Sequence, residues 1–135
     1  MYTLHLEREV AISHQLNYHE GKCRNLHGHN LLIKVDIKAD DIMKVPNYTE
    51  DGMIVDFGEI KRVIDRLDHK HMNDAFRGSP YELMLCNQPT AERIARYLAL
   101  EIENICSSRF VTEIKVTVYE AQNQYVTYTL NLLGE

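Results

Sequence analysis

A chain of 135 residues, 44% apolar and 26% charged, is long enough for one hydrophobic core and has an ordinary globular composition, so residues 1–135 are read as a single domain. Its formal net charge of −5 argues against nucleic acid or an anionic membrane as partner. No apolar run reaches the length of a membrane span, MYTLHLEREV lacks a signal-peptide core, and the three cysteines are odd in number and widely spaced; together these predict a cytoplasmic protein without a disulfide framework.

In chain order, residues 3–14 alternate with period two, Leu4, Leu6, Val10, Ile12 and His14 sharing one parity that only Arg8 breaks, which predicts a half-buried strand. QLNYHEGKCRNL follows as a loop long enough to carry a site. Lys22 and Arg24 within it are candidate cations for an anionic substrate, against the plainer reading of a solvated basic pair. Residues 27–39 form a second alternating strand, with His27, His29, Leu31, Ile33, Val35, Ile37 and Ala39 on one face. KADDIMKVPNYTEDGM reads as a surface loop.

Asp56 opens a helix, with Glu59 completing a capping box and Phe57, Ile60, Val63, Ile64 and Leu67 at helical spacing. DHKHMNDAFRGSPYELMLCNQP is expected to be irregular. Thr90 is the next N-cap, and Ala91, Ile94, Ala95, Leu98, Ile102 and Ile105 form the buried stripe of a second helix, with Cys106 as a core filler. Phe110, Thr112, Ile114, Val116 and Val118 alternate as a third strand, and a turn at AQNQ leads to a fourth through Val126, Tyr128, Leu130 and Leu132.

The order β-β-α-α-β-β predicts an α+β fold, a four-stranded antiparallel sheet with two helices on one face. Its two edges are either shielded by loops or paired with other copies, and closure into a barrel by oligomerisation removes them.

The parity of the first two strands carries the sharpest chemical reading. If they pair as an antiparallel hairpin, His14, His27 and His29 converge at its open end on the core side. Three imidazoles with an open fourth position form the arrangement of a catalytic zinc; the competing reading is a satisfied core histidine beside an HGH turn. Cys23, four residues before His27, is open to three readings: a fourth ligand, a catalytic group or a small buried side chain. Asp68-His69, at the end of the first helix, is either a carboxylate that orients an imidazole or a surface pair. Glu120 continues the inward parity of the third strand and could accept hydrogen bonds from an amino-heterocycle, or be a solvated acid at a turn.

Taken in order and spacing, SHQL, CRNLHGHN, GMIVDFGEIK, LDHKHMND, QPTAE and VYE resemble the 6-pyruvoyltetrahydropterin synthase family nearly end to end. The Cys-x3-His-x-His spacing at Cys23, His27 and His29 points to the 6-carboxytetrahydropterin synthase branch, which serves queuosine and other 7-deazapurines. The resemblance implies zinc on His14, His27 and His29, proton transfer by Cys23, Asp68 and His69, and a pterin held by Glu120 and Thr90. It also implies the tunnelling fold, trimers closed as barrels and stacked as a hexamer, with active sites between subunits. The implied reaction converts 7,8-dihydroneopterin triphosphate to 6-carboxytetrahydropterin, acetaldehyde and triphosphate. Formation of the pyruvoyl product and a non-catalytic, zinc-stabilised assembly protein are the alternatives. Two departures stand out: Val10 replaces the family's usual Phe, and AQNQY replaces a Thr/Ser/Gly-rich turn after Glu120.

Overall fold

The computed structural model describes residues 1–18, 20–41, 52–106 and 110–132. The two alternating stretches are the 13-residue strands β1 (Tyr2–His14) and β2 (His27–Ala39), paired antiparallel along their full length from Tyr2 opposite Ala39 to His14 opposite His27. Their inward parity holds Val10, Ile12, Leu31, Ile33, Val35, Ile37 and Ala39 out of water. Arg8, the break in that parity, reaches the edge and forms two hydrogen bonds of 2.8 and 2.7 Å with Asp65, which lets a cation sit on the core-facing row.

After β2 come α1 (Phe57–Asp65), β3 (Lys70–His71), α2 (Met72–Ala75), α3 (Glu82–Leu85), α4 (Ala91–Cys106), β4 (Val111–Ala121) and β5 (Gln124–Asn131). The sheet order is β3-β1-β2-β4-β5. The sheet therefore has five strands rather than four and is mixed, because β3 pairs parallel with Ile12 and Ser13. The stretch expected to be irregular contains β3 and two single-turn helices, of which Met72 and Leu85 are fully buried. No periodicity announces β3. It forms because His69, at a φ of 60°, turns the chain so that its N–H reaches the carbonyl of Ala11, far away in sequence.

Asp56 caps α1 through Gly58, whose N–H it accepts at 2.8 Å. Ile60, Val63 and Ile64 face the core, with Leu67 buried just beyond the helix end. Phe57, expected in that stripe, is 43% exposed, since its place in the first turn lies at the sheet margin beside Tyr2 and Met53. Thr90 caps α4, its hydroxyl accepting from the Arg93 N–H at 3.3 Å. The buried stripe of α4 runs from Ala91 to Ile102 and Cys106, and Ile105 lies at its border, only partly buried. Tyr97 joins the stripe, with the rings of Phe76 and Tyr81 edge-on at 4.9 and 4.7 Å. Each fully buried Ile or Leu here stabilises the fold by about 1.5–3 kcal/mol.

The helices cover one face of the sheet, and the other carries the polar parity of the strands. The loop expected over residues 38–53 falls mostly on residues 42–51, outside the described residues. Among the described residues, no helix is long and apolar enough to cross a membrane.

Candidate metal centre

Pairing of His14 with His27, and of Ile12 with His29, sets three imidazoles on the core face at the mouth of the β1–β2 hairpin. Their ring centroids lie 4.5, 4.9 and 4.7 Å apart, and one nitrogen from each falls within 4.8 Å of the others. Two rings are fixed from behind: His14 Nδ1 donates to the Pro89 carbonyl at 2.8 Å, and His27 Nδ1 donates to the Asn25 carbonyl at 2.6 Å. A carbonyl only accepts, so Nδ1 carries the proton and Nε2 presents a lone pair.

Both Nε2 atoms are buried with no hydrogen-bond partner among the described residues. An orphaned buried acceptor costs about 1–3 kcal/mol, and here two point into one space. Burial pushes the His14 imidazole down to about 4, against the Pro89 hydrogen bond, and burial also lowers His29 despite the charge of Glu120. Two rings anchored through Nδ1 to backbone carbonyls, with their Nε2 atoms turned into one space beside His29, make the donor set of an imidazole-bound divalent ion. The three residues fit such an ion.

Cys23 sits in a single 3-10 turn, Lys22–Arg24, and its carbonyl accepts from the Leu16 N–H at 2.9 Å. Its thiol is half-buried and free, while Lys22 and Arg24 are exposed. Glu120 lies at an irregularity in the β4–β5 register between Tyr119 and Ala121. Such a bulge re-aims a side chain. Glu120 bears electrostatically on His29 and lines a recess of about 370 Å³ with Glu92, Asn123 and Gln124, beside the start of α4 that Thr90 caps.

Asp68 and His69 are neighbours in sequence, a relation that ordinarily keeps side chains apart within one element. The left-handed backbone at His69 removes that obstacle, and Nδ1 lies 3.0 Å from the Asp68 carboxylate. The Ala11 N–H, which Asp68 accepts at 2.9 Å, is the main cause holding its carboxyl below the usual carboxylate range, and His69 adds to it. Among the described residues, no hydrogen bond or ion pair joins Asp68 or His69 to Cys23 or to the histidine trio. The pair faces outward beside β1, with the His69 side chain 83% exposed.

Sequence reasoning missed the carbonyls behind the rings and also His71, which lies 3.1 Å from the Ser13 hydroxyl. Backbone acceptors leave no trace in composition. His71 did carry a signal, an imidazole two residues past His69 on an edge strand.

A mixed sheet backed by helices, with three convergent imidazoles at one hairpin mouth that could hold a metal ion, defines an α+β class of fold. The model of 6-pyruvoyl tetrahydropterin synthase matches residues 3–131, and the chain belongs to that family. A 6-carboxy-5,6,7,8-tetrahydropterin synthase of Synechocystis is 32% identical over 108 residues, 76% of each chain. One from Rickettsia bellii is 35% identical over 136 residues, 87% of this chain and 93% of that one. The solved Caenorhabditis elegans 6-pyruvoyl tetrahydropterin synthase superposes with a TM-score of 0.69 at 22% identity, covering 96% of each chain, and the fold is the tunnelling fold.

Proposed function

We propose that this protein is a zinc-dependent enzyme converting 7,8-dihydroneopterin triphosphate and water to 6-carboxy-5,6,7,8-tetrahydropterin, acetaldehyde and triphosphate, in queuosine and 7-deazapurine formation. The observation that carries the metal half is the pair of orphaned Nε2 atoms of His14 and His27 facing one space with His29. The similarity to chains named as carboxytetrahydropterin synthases carries the choice of reaction.

His14, His27 and His29 would hold the ion, which supplies Lewis-acid polarisation of the substrate's side-chain oxygens and acidifies the adjacent C–H. Cys23, as thiolate, takes a side-chain proton; its role is proton transfer, since a permanent fourth protein ligand would close the position the substrate needs. Asp68 orients His69, which exchanges protons with the thiol and substrate. Glu120 accepts from the amino group and ring N–H of the pterin, beside Thr90, and Lys22 and Arg24 meet the triphosphate.

Because Asp68 and His69 face outward, they are assigned to a neighbouring subunit's Cys23, in a hexamer made of two trimers. Three free cysteines, two of them buried, suit a reducing cytoplasm.

The deciding experiment incubates the zinc-loaded protein with dihydroneopterin triphosphate and identifies products by mass. 6-Carboxytetrahydropterin with acetaldehyde supports the reading. A pyruvoyl product moves the protein to the other branch, and unchanged substrate leaves a zinc-stabilised assembly protein.

A further inference from the structure

Asn73, in α2, is a polar side chain only 7% exposed, and it lies outside the residues assigned to binding or chemistry. Its carboxamide makes three hydrogen bonds, all to backbone. Oδ1 accepts from the Gln15 N–H at 2.8 Å, while Nδ2 donates to the Gln15 carbonyl at 2.9 Å and to the Cys86 carbonyl at 2.9 Å. The first two clasp both polar groups of one residue, as a partner strand does at a doubly bonded pair.

What the clasp joins gives it meaning. Gln15 directly follows His14, and the next residue, Leu16, donates its N–H to the Cys23 carbonyl. On the other side, Cys86 leads into the segment ending at Pro89, whose carbonyl accepts from His14 Nδ1 and so sets the rotation of that ring. Two longer contacts of 3.3 Å, from Asn17 to the Asn87 carbonyl and from the Tyr18 N–H to Gln88, lace the same two segments. A single buried amide therefore grips the backbone that carries His14 and the segment that aims it, while forming no hydrogen bond with any of the three imidazoles.

We propose that Asn73 is a positioning residue, holding His14 Nε2 and the Cys23 turn in register with His27 and His29 through Gln15, Leu16 and the Pro89 carbonyl. This inference rests on the reading of the trio as a metal site. Groups that orient metal ligands carry about 10–100-fold of metal affinity or activity when removed.

Asn73→Asp keeps the volume and the acceptor for the Gln15 N–H but turns an oxygen toward two carbonyls. It is expected to weaken zinc binding about 10–100-fold in chelator competition, to alter the visible absorption of the cobalt-loaded protein, and to lower kcat with KM little changed. Thr112→Val is the control. It removes a hydroxyl bonded to the Lys38 carbonyl at the far end of the sheet, lowering thermal stability without touching this circuit. Equal loss of Tm in both variants, with zinc affinity and cobalt spectrum unchanged in both, overturns the proposal.

Should Asn73→Asp fail to fold, the wild type supplies the test. The Asn73 side-chain amide resonances are expected to shift when zinc is added, and a carboxamide indifferent to zinc overturns the assignment. A wild type that takes up no zinc instead removes the underlying metal reading, an outcome distinct from the other two.

Discussion

At the scale of single residues, two imidazoles of the trio are set by what stands behind them. His14 and His27 present bare Nε2 atoms because backbone carbonyls hold the opposite nitrogens. His27→Ala should abolish stoichiometric zinc, measured by elemental analysis of the purified protein. Cys23→Ala should keep the metal and lower turnover by about 10²–10⁴-fold, the usual span for a lost acid–base group; metal loss in that variant would make the thiol a ligand. On the polar face of the sheet, His5 donates to Asp36 at 2.7 Å and to Glu7 at 2.8 Å, one from each ring nitrogen. Carboxylates only accept, so this geometry needs the imidazolium, and His5 is raised above 6.5, chiefly by Glu7 and then Asp36. A raised histidine contributes stability that is fully present below its unfolded value and lost as pH rises through the folded one. Glu7, lowered by His5, contributes in the opposite direction, above its unfolded value near 4.5. Denaturant midpoints of wild type and His5→Gln should therefore differ at pH 5.5 and converge by pH 9. The difference is small, because these groups are well exposed.

Elements divide into those with a local rhythm and those without one. β1, β2 and α4 are legible because each repeats its apolar residues at the period of its own geometry over ten or more residues. That rhythm also puts three histidines on one face, and the β1–β2 register brings them together. β3 was illegible, since two residues offer no period and their strand character comes from the turn at His69 and its bond to Ala11. The internal pairing of Asp68 with His69 was hidden for the same reason: it depends on one positive φ. The cap falls on Asp56 as its sequence predicts, but its side chain accepts from the Gly58 amide rather than closing a box with Glu59. Asp56→Ala should lower stability by about 1 kcal/mol, read as a shift in urea midpoint at constant slope.

For the whole molecule, the outward placement of Asp68 and His69 is the feature with the widest reach. If their working partner is another subunit's Cys23, native mass spectrometry should show multiples of three chains. Cys23→Ala and His69→Ala, each strongly impaired alone, should then regain activity when unfolded together and reassembled. About a quarter of the sites in an even, random mixture would draw an intact thiol and an intact imidazole from different copies. A mixture that stays inactive would place both groups within one chain. The hairpin itself holds a further consequence. His14 and His27 occupy its last rung, so an ion held by them would latch the strap of chain between, on which Lys22 and Arg24 stand exposed. Chelation should loosen that strap, and trypsin should then nick the protein there first, while the zinc-loaded form resists.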